Sequence, residues 1–141
     1  MKTLVIVATG LALLGLTGCT AFQPVAVKRE SDGLHISICQ DFSGDQLVVD
    51  SVDKQNHVAT IWRADGAFNV AKKAQYVFGV PPTGMSTVIG PKTEGLSGEY
   101  LDVFFRNGGV EGQVAGHFPV KNITSDSWLQ SDGSHTTAPC E

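Results

Sequence analysis

Asp32-Gly33-Leu34-His35-Ile36-Ser37-Ile38-Cys39 is the stretch that decides the fold class. Leu34, Ile36 and Ile38 alternate with His35, Ser37 and Cys39, the period of two expected of a strand with one apolar face. Asp32-Gly33 supplies a turn ahead of it. The pattern recurs in both directions. Val25-Ala26-Val27 precedes it, and Leu47-Val48-Val49 leads into Val52. Val58, Thr60 and Trp62 alternate with Ala59, Ile61 and Arg63, and Gln75 to Gly79 is aromatic and β-branched. Met85 to Ile89 is short and bounded by Gly84 and Gly90-Pro91, Leu101, Val103 and Phe105 interleave with Asp102, Phe104 and Arg106, and Val114 with Phe118 marks a last clear strand. Ser43-Gly44-Asp45, Asp65-Gly66, Pro81-Pro82-Thr83-Gly84 and Asn107-Gly108-Gly109 read as turns. Ala67 to Ala74 has too few apolar residues for a helical stripe and reads as a loop with at most one helical turn. Short strands at this spacing predict an all-β sandwich or small barrel.

The amino terminus is of a different kind. Met1-Lys2 gives a small cationic start, and Thr3 to Leu14 is an apolar run. That run has signal-peptide length and falls short of the ~20 residues a membrane-spanning helix needs. It ends in Leu16-Thr17-Gly18-Cys19, which resembles a bacterial lipobox. The resemblance implies that residues 1–18 are a lipoprotein signal peptide, that Cys19 is acylated, and that residues 19–24 form a short tether to a domain of residues 25–141. Five residues, Thr20-Ala21-Phe22-Gln23-Pro24, separate Cys19 from Val25 and reach at most ~17 Å. The domain is therefore expected close to a membrane surface, on its extracytoplasmic face (the outer membrane, if the host has two).

If Cys19 carries lipid, Cys39 and Cys140 remain, and two exported cysteines allow one pairing. The enclosed loop of roughly one hundred residues corresponds to ~4–5 kcal/mol in the chain-entropy picture. The polar, turn-rich 121–141 segment, apolar only at Trp128-Leu129, is expected to wrap back so that Cys140 meets Cys39. Without residues 1–18 the chain keeps 123 residues, enough for one domain. It then has nine Lys/Arg against fourteen Asp/Glu, a balance of −5. This acidity disfavours a nucleic-acid partner and leaves membrane attachment to the acyl chains.

Gly95 to Tyr100, followed by a strand that ends at Asn107-Gly108-Gly109, resembles the tyrosine-corner and F–G hairpin stretch of immunoglobulin-like and fibronectin type III sandwiches. The resemblance covers about fifteen residues and implies an immunoglobulin-like β-sandwich. It departs from those families in parity, because Asp102 and Arg106, rather than Leu101, Val103 and Phe105, share the side of Tyr100.

Chemistry-bearing motifs are sparse. The histidines His35, His57, His117 and His135 have no ligand spacing, so a metal site would need His35 and His117 to converge with an acid such as Asp102. Solvent-facing strand histidines are the plainer expectation, and no metal or cofactor is expected. A nucleophile elbow, a phosphate loop and a dinucleotide fingerprint are all missing from the sequence. Asp50 with Asp53, and Asp126 with Asp132, read as solvated turn acids. The candidate binding residues are aromatic: Trp128 in the polar tail, with Tyr76 and Phe78 beside a Gly/Pro loop. A lid over one end of the core is the stronger expectation for Trp128. The chain as a whole resembles small bacterial envelope lipoproteins. The expected function is a non-enzymatic binding or structural module at the membrane surface, with an envelope protein or a glycan as partner. A cell-wall glycan binder is the alternative, and a small hydrolase or metal-dependent enzyme a further one.

Overall fold

The computed structural model of the chain describes residues 24–108 and 113–141. The leader, Cys19 and most of the tether lie outside the described residues. Among the described residues, ten strands follow in order: β1 (Val25–Glu30), β2 (Gly33–Ile38), β3 (Phe42–Val52), β4 (Val58–Val70), β5 (Gln75–Val77), β6 (Ser86–Ile89), β7 (Tyr100–Arg106), β8 (Val114–Pro119), β9 (Trp128–Gln130) and β10 (His135–Thr136). They form two antiparallel five-stranded sheets, β10-β9-β1-β2-β5 and β6-β4-β3-β7-β8. The fold is an all-β sandwich. Within it, β1-β2-β5 and β3-β7-β8 pair in the order of strands A-B-E and C-F-G of the immunoglobulin sandwich. The extra strands flank these at the β1 and β3 sides. Among the described residues, no helix is long and apolar enough to cross a membrane.

Alternation sets the core. Leu34, Ile36 and Ile38 from β2 meet Leu47 and Val49 from β3 and Leu101, Val103 and Phe105 from β7. Trp62 is fully buried and meets Phe78 edge-on, ring centroids 5.6 Å apart. Burying such side chains contributes ~1.5–3 kcal/mol each before the entropic cost of ordering them.

Two of the expected turns are parts of strands. Ser43-Gly44-Asp45 lies inside β3, and Asp65-Gly66 lies inside β4, which runs on to Val70. Ala67 to Val70, expected as loop, is therefore strand. The register passes from Gly44↔Phe68 to Gln46↔Asp65, so Gly66 and Ala67 together oppose Asp45. This is a β-bulge, and it explains the composition, since bulges recruit the same Gly and Asp that turns do. Gly66 has φ 137, and a Cβ there would sit 2.4 Å from the Gly84 carbonyl oxygen. A second register shift, from Val49↔Trp62 to Asp50↔Thr60, leaves Ile61 as the extra residue.

The carboxyl-terminal segment behaves as the cysteine arithmetic required. From β10 at the sheet edge it crosses the outer face of β9 and β1 to the end of β2, where Cys140 is bridged to Cys39, Cα–Cα 5.2 Å. Ala26, Cys39 and Trp128, with Cys140 packed against them, make a small second core on that outer face.

Candidate functional site

The outward side of the β6-β4-β3-β7-β8 sheet carries two rows of polar chemistry, set by strand register. In the first, Arg63 holds Asp65 through two hydrogen bonds, Nε at 2.8 Å and Nη2 at 2.6 Å. Gln46 Nε2 donates to the same carboxylate, Arg106 Nη1 donates to Gln46 Oε1, and Arg106 Nε donates to Gln113 Oε1. The guanidinium of Arg106 lies 4.7 Å from the centre of the Phe104 ring. The Arg63 hydrogen bonds hold the Asp65 carboxyl below its usual range, and the same contact raises Arg63.

In the second row, Asp50 of β3 stands directly opposite Asp102 of β7. Like charges so placed repel, and each is given a partner from the next strand. Thr60 Oγ1 donates to Asp50 at 2.7 Å, and His117 Nδ1 is hydrogen-bonded to Asp102. The His117 ring stacks on Tyr100, centroids 4.5 Å apart, with its remaining edge toward solvent. A shallow polar depression adjoins this row, lined by Asp53, Lys54, Asn56, Glu99 and Tyr100. Asp53 organises its rim by accepting from the Gln55 and His57 amides and from His57 Nδ1. Those donors, the His57 amide first, lower the Asp53 carboxyl. The arrangement offers an aromatic pair, carboxylate acceptors and the Lys54 ammonium to a polar ligand. Among the described residues, no hydroxyl or thiol nucleophile is hydrogen-bonded to His117.

The second row and its depression lie at the end of the sandwich away from Pro24. Pro24 accepts from the Cys39 amide, three residues before β3 begins, whereas Tyr100 pairs with Val52 at the far end of β3. Ten residue steps at ~3.3 Å separate the two ends by ~33 Å.

The residues singled out from sequence distribute differently. Cys19 lies outside the described residues, and Cys39 and Cys140 are joined. Trp128 is 5% exposed and packs in the second core beneath the terminal segment. Phe78 is buried against Trp62, and Tyr76 packs on Phe105, its hydroxyl pKa raised by burial. None of these three rings offers a broad open face. Asp102 and His117 do pair on adjacent strands, whereas His35 belongs to the other sheet, where it bonds Asp32. No three metal-ligating side chains gather among the described residues. Tyr100 is not among the residues the sequence singles out for binding, although its phase with Asp102 and Arg106 carries the signal that it faces outward with them. Comparison with known proteins finds no matching family model, curated protein or solved structure.

Proposed function

We propose that the chain is an extracytoplasmic lipoprotein, held by acyl chains on Cys19, whose sandwich serves as a non-enzymatic binding or structural module beside the membrane. The observation that carries this reading is the Cys39–Cys140 bridge. It engages both cysteines of the domain and leaves Cys19, directly after Leu16-Thr17-Gly18, as the odd one. A bridge belongs to an oxidising compartment, which agrees with an export leader and with the lipobox. Five residues between Cys19 and Val25 would keep the Pro24 end within ~17 Å of the anchor. The Tyr100–His117–Asp102 row and its depression would then point away from the bilayer, toward envelope partners.

Labelled palmitate tests the reading. Incorporation into the wild-type chain and its loss in Cys19→Ser support it, whereas absence of label, or equal label in the variant, defeats it. A glycan as the bound partner is favoured by one feature, the Tyr100–His117 aromatic pair beside the Asp50 and Asp102 carboxylates. Titration with solubilised cell-wall glycan fragments should then shift the His117 ring resonances in wild type and not in Tyr100→Ala. Unmoved resonances in wild type would exclude glycan from this face.

A further inference from the structure

The terminal segment is built unlike the rest of the sandwich. Beyond Leu129, no residue of it enters the main core. Its pairing is a two-residue strand, His135↔Leu129 and Thr136↔Trp128. It is held besides by the Gln130 amide donating to the Ser134 carbonyl, by Gln130 Nε2 donating to Thr136 Oγ1 at 2.7 Å, and by Ser127 Oγ against His135 Nδ1 at 2.7 Å. Ser131 marks where it leaves the sheet, its Oγ donating to the Val25 carbonyl at 2.7 Å. Segments with few buried contacts and exposed hydrogen bonds are the ones that open separately from a core.

Beneath it lies a surface more specific than a lid requires. Trp128, Ser37 and Gln130 are almost wholly buried, and Gln130 Oε1 has no hydrogen-bond partner. Ser37 Oγ lies 3.7 Å from Cys140 Sγ. With the segment lifted, the edge of β9, the Trp128 ring and the free Gln130 acceptor would face solvent together. The segment itself displays what fits there: an extended strand that pairs with β9 and sets a hydroxyl residue, as Thr136 does, against Gln130. Addition of such a strand to a sheet edge is a common mode of peptide recognition.

We propose that residues 131–141 are a strap latched by Cys39–Cys140 over a strand-binding site on β9, and that opening the latch frees the site for an extended polypeptide segment of a partner. The latch opens by thiol–disulfide exchange with a dithiol reductant. One reductant thiolate attacks the Cys140 sulfur, the more exposed end of the bridge, forming a mixed disulfide and releasing the Cys39 thiolate. The second reductant thiol then displaces Cys140, so the protein gains two thiols and the dithiol becomes a disulfide. This inference does not depend on acylation of Cys19.

The test uses the full chain, oxidised and after dithiothreitol. In the reduced protein, the acceleration of hydrogen exchange at Gln130, Ser134 and Thr136 should exceed that of β3 and β7, which speed only as far as the loss of the bridge lowers global stability, by at least tenfold. Indole emission should move to longer wavelength in wild type and not in Trp128→Phe. A fluorescein-labelled peptide of the sequence of residues 131–139 should bind the reduced form and not the oxidised one. Unchanged exchange on reduction would overturn the latch, and so would an acceleration in the strap no greater than that in β3 and β7. A concentration-dependent dimer of the reduced protein that takes up no peptide would overturn the partner and assign the site to a second copy.

Discussion

Ile61 and Trp62 are consecutive in β4, and both point into the core, 3% and 0% exposed. Two neighbours on a regular strand face opposite sides, so the bulge at Ile61 changes the parity of β4 there. Thr60 and Val58 are thereby turned outward, where Thr60 reaches Asp50. The outward row at Asp50 therefore owes its third member to a backbone irregularity. From Trp62 onward the even-numbered Ala64, Phe68 and Val70 continue inward in one phase.

Gly66→Ala should destabilise the domain by at least ~2 kcal/mol, because φ 137 and a 2.4 Å approach to the Gly84 carbonyl leave no room for a Cβ. Gly108→Ala, at φ 65 with open space around it, should cost about 1 kcal/mol. Urea unfolding of the two variants beside wild type gives the comparison, and equal costs would show that the bulge tolerates a side chain.

Replacing both bridge cysteines, Cys39→Ser with Cys140→Ser, should lower unfolding free energy by ~2–5 kcal/mol through the longer loop released in the unfolded chain. The near-ultraviolet circular dichroism of Trp62 in the main core should persist. Denaturant midpoints measured with and without reductant check this, and reductant should change wild type alone.

Asp102 and His117 form a half-exposed pair, so their coupling should be modest, ~0.2–1 kcal/mol in a double-mutant cycle of Asp102→Ala and His117→Ala. Added salt should reduce it. A coupling above this range would indicate that Tyr100 and Asp50 act with the pair as one network.

Acid should weaken the fold through Asp65 and Asp53, whose carboxyls are both held below their usual range. On lowering pH the unfolded chain takes up these protons first. The stabilisation from the two groups is therefore complete above the unfolded carboxylate pKa of ~3.9 and is lost as pH falls below it through the lower folded values. Urea midpoints from pH 6 to pH 2 should fall less steeply in Asp65→Asn than in wild type.

Much of the sandwich is legible in the alternation itself. Leu34–Ile36–Ile38 and Leu101–Val103–Phe105 name their inward faces without ambiguity, and Asn107-Gly108 lies where β7 ends. The bulges are not legible, because Asp65-Gly66 has the composition of a turn and only pairing with β3 distinguishes the two. Nor did the sequence resolve Trp128. An aromatic in a polar tail reads equally as a binding residue or a lid until Cys140 is seen folded over it. The Asp50–Asp102 opposition depends on strand register, which the period of two leaves open until partner strands are known. Asp102 with His117 could be read earlier, since a hairpin joins their strands.

The most direct test of the account is the intact mass of the protein extracted from host membranes, with peptide mapping. The account predicts a chain lacking residues 1–18, carrying diacylglyceryl and acyl groups at Cys19, and holding Cys39 and Cys140 as one disulfide. A chain recovered with its leader, or released with an unmodified Cys19, would contradict it.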